Sequence, residues 1–195
     1  MEKFELKVIV TSTRHERKGG AVANWFFEKV KNHELFNVEL LDLKEIDLPM
    51  LDEPNHPMQM NYQYAHTKLW SKKVAAADAF VFVIPEYNYG MPPALVNAID
   101  FLFNEWNYKP AALVSYGGIS AGLRSAQMAK LIMTTVKLVP LMEAVSIPFF
   151  AKKINANGIF QSDSPIDNSY EVMMKELVRW TRGLVAMRKN MEREG

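Results

Sequence analysis

The sequence contains no cysteine. That absence excludes disulfides, thiolate metal sites, iron–sulfur clusters and cysteine nucleophiles together. An excess of charge is missing too: 23 basic against 22 acidic residues leave a formal charge of +1. Nothing general then points to a nucleic-acid or membrane partner, and any anion site must be local. No apolar run approaches the roughly 20 residues needed to span a bilayer. The opening residues, MEKFELKVIV, interleave charges with apolar side chains and run straight into a strand, so they lack the apolar core of a signal peptide. A cytoplasmic location is the expectation. Neither GxxxxGK(S/T) nor GxGxxG occurs, which disfavours a nucleotide-hydrolysing P-loop and the usual dinucleotide fingerprint. The histidines, His15, His33, His56 and His66, are scattered, and none has helix spacing to a second ligand. Zinc hydrolysis and a serine triad therefore find no support. There is no internal repeat and no low-complexity tract.

What is present is enough for one domain over residues 1–195, with 49% hydrophobic content to close a core. The stretch AFVFVIPEYNYGMPPALVNAIDFL, Ala79 to Leu102, organises the rest. Ala79 to Pro85 is an apolar, β-favouring run that suits a strand buried on both faces. Pro85 has no amide hydrogen for a ladder, so the chain leaves the sheet there and enters the turn Glu86-Tyr87-Asn88-Tyr89-Gly90. Pro92 and Pro93 suit the first turn of a helix that continues to Leu102.

Before this stretch, Leu6–Val10 reads as a strand, Thr11 to Gly20 as a polar turn, Ala21–Lys31 as a helix with Val22, Trp25, Phe26 and Val30 on one face, and Asn37–Leu43 as a second strand. Lys44 to Tyr64 shows no sustained period and reads as a long loop: a lid, a subunit contact or an irregular surface connection. His66–Ala77 reads as a helix with Leu69, Trp70, Val74 and Ala77 inward. Further on, Ala111–Tyr116 is a fourth strand, Leu123 to about Leu138 a helix, and Glu143–Pro148 a fifth strand after an interruption at Pro140. A turn is expected at Asn155–Gly158. A closing helix, 165–188, carries Met173, Leu177, Trp180 and Leu184 as its inward stripe.

Five apolar strands separated by helices predict an α/β fold, an open, doubly wound five-stranded parallel sheet of the flavodoxin type, with order 2-1-3-4-5 and helices on both faces. In that topology the turns after strands one, three and four share the carboxyl edge, beside the point where strand order reverses. They are also the three most polar, glycine-bearing turns in the chain. The first, with Ser12, Thr13, Arg14 and Arg17 ahead of Gly19 and Gly20, offers hydroxyls, charge and a helix start to a phosphate, or else is a solvated helix cap. The second, with Tyr87, Asn88 and Tyr89, offers aromatic surface and edge donors to a planar heteroaromatic ring, or else is a tyrosine-rich interface turn.

These residues prompt a comparison. PEYNYGMPPALVNAIDFL resembles the PEYN-x-G segment of the NADPH-dependent FMN reductase family, a flavodoxin-like group that includes azo-dye, quinone and chromate reductases. Thr11-Ser12-Thr13-Arg14, followed by Arg17, Gly19, Val22, Ala23 and Trp25, looks like its phosphate loop, and Ser115-Tyr116-Gly117-Gly118 looks like its SYGG turn. Thr11 departs from the pattern, standing where glycine is usual. The resemblance runs to about Met133, and no family motif is visible from Phe149 onward.

The resemblance implies that Ser12, Arg14 and Arg17 hold the FMN phosphate. It implies that Pro85, Glu86, Tyr87, Asn88 and Gly90 line the isoalloxazine ring, while Ser115, Gly117 and Gly118 contact its other edge. It further implies NADPH or NADH as reductant, a small-molecule electron acceptor such as a quinone or azo compound in a ping-pong cycle, and a homodimer or homotetramer. Cofactor chemistry of this kind requires no side-chain catalyst and no metal. Arg124 is either solvated or the partner of a nicotinamide nucleotide phosphate. The competing expectation is a flavodoxin-like electron carrier, against which the near-neutral charge counts.

Overall fold

The computed structural model describes residues 3–194. Five parallel strands, β1 (Phe4–Val10), β2 (Phe36–Asp42), β3 (Ala79–Pro85), β4 (Pro110–Tyr116) and β5 (Val139–Ile147), form one sheet in the order 2-1-3-4-5. The helices are α1 (Gly19–Val30), the short α2 (Leu43–Ile46), α3 (Ala65–Ala75), α4 (Pro93–Asp100), α5 (Leu123–Thr135) and α6 (Ser164–Glu194). A parallel strand pair needs a crossover between its members, and helices supply it here.

Period-two alternation divides the core between the two faces of the sheet. Along β3, Ala79, Val81 and Val83 join Val22 and Phe26 of α1 and Met173 and Leu177 of α6 in one apolar cluster. Phe80, Phe82 and Ile84 point the other way, into a cluster with Trp70 of α3, Leu95 and Ile99 of α4, Trp106 and Met133. All seven β3 residues are buried, as expected of a central strand covered on both sides.

The structure corrects the sequence reading in several places. Leu69, expected to face inward, is 55% exposed, and Thr67 takes the inward position on α3. Trp180 is 44% exposed, whereas Thr181 is buried and donates to Leu177 O at 2.6 Å. Both residues lie on the border of an apolar stripe, where spacing alone does not say which neighbour turns in. α6 also continues past Arg188 to Glu194. Pro140 does not precede β5 but lies within it: Ala111 pairs with Pro140 and Leu113 with Ala144, with a register irregularity between. Proline is tolerated there because β5 is the edge strand, so its missing amide deprives no further neighbour.

The 44–64 stretch, expected to be a loop throughout, begins within α2, which the Asp42 side chain caps by accepting from Lys44 N. Beyond Ile46 it holds one turn of 3-10 helix, Pro57–Gln59, and is otherwise irregular. Asn97 of α4 pins it, its Oδ1 accepting from Leu51 N at 2.9 Å and its Nδ2 donating to Pro49 O at 2.7 Å. Beneath it, the buried Glu105 carboxylate accepts from Tyr62 Oη at 2.9 Å and Ser71 Oγ at 2.6 Å.

Candidate functional site

β1 delivers its loop to the carboxyl edge of the sheet. Thr11 closes that strand: both its amide and its hydroxyl donate to Val83 O, at 3.2 and 2.9 Å. The β-branched residue is accommodated by using its hydroxyl to lock the loop to β3. Ser12 follows, almost wholly buried. The Arg17 guanidinium donates to Ser12 O and pairs bidentately with Asp42 at the end of β2, with Nη1 2.8 Å from Oδ1. Arg17 is thus a strut across the loop. Arg14 is exposed, with its guanidinium carbon 5.6 Å from the centre of the Tyr87 ring.

α1 opens at Gly19, and the first amides of a helix have no intrahelical partners. Glycine is required there: a Cβ would lie 1.8 Å from the Tyr116 phenol oxygen. Burial raises the Tyr116 hydroxyl pKa well above the usual tyrosine range. Its ring packs edge-on to Phe150, with centroids 4.8 Å apart.

The β3 loop is a closed turn. Tyr87 N donates to Gly90 O at 2.9 Å and Gly90 N to Tyr87 O at 2.8 Å, with Asn88 and Tyr89 in the left-handed region at φ 48° and 68°. Within it, Tyr87 Oη lies 2.6 Å from Ser12 Oγ, joining the first loop to the second. Glu86 turns towards the start of α5. Its carboxylate accepts from Ser120 Oγ at 2.8 Å, Arg124 N at 3.2 Å and Arg124 Nη1 at 2.7 Å. Burial pushes its pKa up, but these hydrogen bonds and the Arg124 charge outweigh that and hold it below the usual carboxylate value. The same guanidinium stacks 3.7 Å above the centre of the Tyr89 ring. Arg124 is therefore neither free nor merely solvated.

The loop after β4 is held from inside. Ser115 Oγ is fully buried and donates to Ala121 O at 2.9 Å. Gly122, at φ 79°, fits because a Cβ there would stand 2.7 Å from Tyr116 N. Phe149 N donates to Gly118 O and Phe150 N to Gly117 O, at 2.9 and 3.3 Å, which brings the segment after β5 up to the same edge.

The three loops meet in one cleft of about 330 Å³, lined by Ser12, Arg14 and Arg17 from the first, Pro85, Glu86 and Tyr87 from the second, and Gly117 and Gly118 from the third. Asn88 and Gly90 shape the turn without lining the cleft, and Ser115 spends its hydroxyl on the loop behind it. His15, Glu16, Lys18, Gly19, Tyr116 and Phe150 also line it, so the first loop brings one carboxylate, Glu16, along with its cations. Tyr116 was visible in the sequence as the last residue of a buried strand, hence at the same edge. Phe150 carries no such signal, because it reaches the rim through a backbone bond to Gly117 and ring packing on Tyr116, both partners remote in the chain. Among the described residues no group of three or more histidines and carboxylates could hold a metal ion.

The cleft fits a phosphorylated planar ring. One end offers a serine hydroxyl, an exposed arginine and a helix start, the chemistry that holds a phosphate. The other has aromatic and glycine surfaces, and the carboxylate beside it, Glu86, is already neutralised by Arg124.

Comparison with known proteins points the same way. The sequence model of a family described as NADPH-dependent FMN reductase matches residues 5–152. An NAD(P)H-dependent FMN reductase of Schizosaccharomyces pombe is 40% identical over 147 residues, 74% of each chain. Another, from a Nectria species, is 32% identical over 153 residues, 75% of this chain and 76% of its own. Among solved structures, a flavoenzyme NAD(P)H:(acceptor) oxidoreductase of Paracoccus denitrificans shares the fold with a TM-score of 0.71 at 21% identity, over 92% of this chain and 98% of the other.

Proposed function

The chain belongs to the NADPH-dependent FMN reductase family, and on that premise we propose that it is an FMN-dependent NAD(P)H oxidoreductase acting on small-molecule acceptors such as quinones or azo compounds. The observation that carries this reading is the meeting of three separate loops in one cleft with a phosphate-binding end and an aromatic end. FMN, when bound, supplies a ring that accepts a hydride from NAD(P)H and hands reducing equivalents to the acceptor in alternation.

The protein's part is placement. Ser12 and Arg14 would hold the phosphate directly, and Arg17, its charge paired with Asp42, would serve that phosphate by bracing the loop. Pro85, Glu86 and Tyr87 form the wall along the ring, with the Asn88–Gly90 turn fixing its shape. Gly117 and Gly118 present backbone to the other edge, with Ser115 anchoring them from behind. A ring held with one face open would let donor and acceptor occupy the same place in turn, as a ping-pong cycle requires.

A cytoplasmic location, a single domain and assembly as a homodimer or homotetramer belong to the same proposal. The need for NAD(P)H supports the first, and the continuous sheet with a core on each face supports the second. Exposed apolar side chains in the β3 loop and along α5, Tyr89, Leu123, Met128 and Leu131, support assembly. Steady-state oxidation of NADPH by the FMN-loaded protein, with a quinone added, tests the activity. Turnover that needs both FMN and the quinone is the expected result, and no turnover by flavin-loaded protein would contradict it.

A further inference from the structure

The wall of the rim cleft holds a polar group that the rest of the protein leaves unused. Tyr116, the last residue of β4, is only 3% exposed and lines the cleft, yet no hydrogen bond reaches its hydroxyl among the described residues. The two hydroxyls that act on it, those of Ser12 and Tyr87, are bonded to each other at 2.6 Å. A buried donor without a partner is costly, and folded chains keep few of them. Thr67 Oγ1 is the only side-chain polar atom among the described residues that is both fully sealed and unpartnered. The Tyr116 oxygen therefore opens into the cleft that it lines.

Packing fixes where that hydroxyl points. A Cβ on Gly19 would lie 1.8 Å from it, so the oxygen sits against the first residue of α1, while Phe150 packs on the ring with centroids 4.8 Å apart. That helix start is itself uncapped: Lys18 stands at the cap position and its side chain makes no capping bond. Ala21 N donates to Lys18 O at 3.1 Å, but the amides of Gly19 and Gly20 find no acceptor among the described residues. A phenolic proton and two amide protons thus adjoin one another at the same end of the cleft as Ser12. The charges nearby are mixed. Arg14 and Glu16 are both exposed, and Arg17 is committed to Asp42. Discrimination between an anion and a neutral group therefore falls on the buried donors, whose bonds are strongest where water is excluded.

We infer that the Tyr116 hydroxyl donates a hydrogen bond to the phosphate of FMN and is a residue by which the cleft prefers FMN to riboflavin, whose chain ends in an uncharged hydroxyl at the same place. Burial keeps the phenol protonated, so it meets an anion as a donor. It is a binding and specificity residue with no part in electron transfer. The inference rests on the flavin reading of the rim cleft.

Tyr116→Phe removes one oxygen and leaves the ring against Phe150. Flavin-free wild type and variant are titrated by calorimetry with FMN and, separately, with riboflavin. We expect the variant to bind FMN about tenfold more weakly and riboflavin as tightly as wild type does, so that the preference for FMN shrinks by the same tenfold. Retained riboflavin affinity also shows that the variant folds. Gly19→Ala, which pushes the phenol oxygen aside with Tyr116 itself intact, should shift the two affinities in the same unequal way and repeats the test. Unchanged FMN affinity in Tyr116→Phe overturns the inference, because the hydroxyl is then idle. Equal losses for FMN and riboflavin overturn it too, because the residue then serves packing alone. Either result leaves the flavin reading standing, whereas wild-type protein that binds neither flavin overturns that reading instead.

Discussion

Tyr87 Oη stands 2.6 Å from Ser12 Oγ, across 75 residues of sequence. With the phenol donating, the serine accepts one hydrogen bond and keeps its own proton for an anion in the cleft. Tyr87→Phe removes that arrangement and leaves the ring in place. A single neutral hydrogen bond contributes about 0.5–1.5 kcal/mol, so FMN should bind roughly two- to tenfold more weakly. Calorimetric titration reads this directly, and tighter binding in the variant would show that the phenol competes with the phosphate.

Arg14 and Arg17 should behave differently. Arg14 is exposed and meets only the face of Tyr87, so Arg14→Ala should weaken FMN binding by about ten- to a hundredfold and leave the melting temperature unchanged. Arg17 is paired with Asp42 and braces Ser12 O. Removing it leaves a half-buried carboxylate without its partner, so Arg17→Ala should lower stability by about 1–3 kcal/mol as well as affinity. Equal melting temperatures for the two variants would contradict the distinction.

Adjacent glycines at the start of α1 should respond in opposite directions. A methyl group on Gly19 runs into the Tyr116 phenol, so Gly19→Ala should cost about 1–3 kcal/mol and displace a residue of the cleft wall. Gly20 has nothing within 4 Å of a built Cβ. Gly20→Ala should therefore be neutral or stabilise by about 0.4–1 kcal/mol, because the unfolded chain loses freedom. Denaturant unfolding of the two variants checks the pair.

Glu86 links stability to pH. Its folded pKa lies below the ordinary carboxylate value of 4.5, so the unfolded chain takes up this proton first as pH falls. The stabilisation is fully present above about pH 4.5 and disappears as pH drops through the lower folded value. Glu86→Gln should flatten that part of the stability–pH curve, while above pH 6 it shows a constant loss. An unchanged acid limb would mean that the Ser120 and Arg124 contacts do not hold the charge in solution.

Most of this architecture was legible in the amino-acid order. Ala79–Pro85 was recognisable as the central strand because it is apolar at every position, and the structure buries every one. The motif residues located the three loops because polar, glycine-bearing turns after strands are rare enough to stand out. What the sequence did not disclose depended on partners remote in the chain. Nothing local to Arg17 names Asp42, nothing near Arg124 names Glu86, and Ser115 looked like a ligand-facing hydroxyl although its bond runs to Ala121 O. Trp180 and Leu69 were misplaced because helical spacing fixes a stripe only to within a neighbour at its border. β5 was read short because proline argues against a strand until its place at the sheet edge is known.

The account turns on FMN held in the cleft where these loops meet. Its most direct test is the visible spectrum of the purified chain, incubated with FMN, freed of excess flavin and then treated with NADPH in the absence of oxygen. The account predicts a yellow protein that NADPH bleaches and that an added quinone recolours, with the colour lost at purification in a Ser12→Ala, Arg14→Ala double variant. A protein that emerges colourless, or one whose colour NADPH leaves untouched, contradicts it.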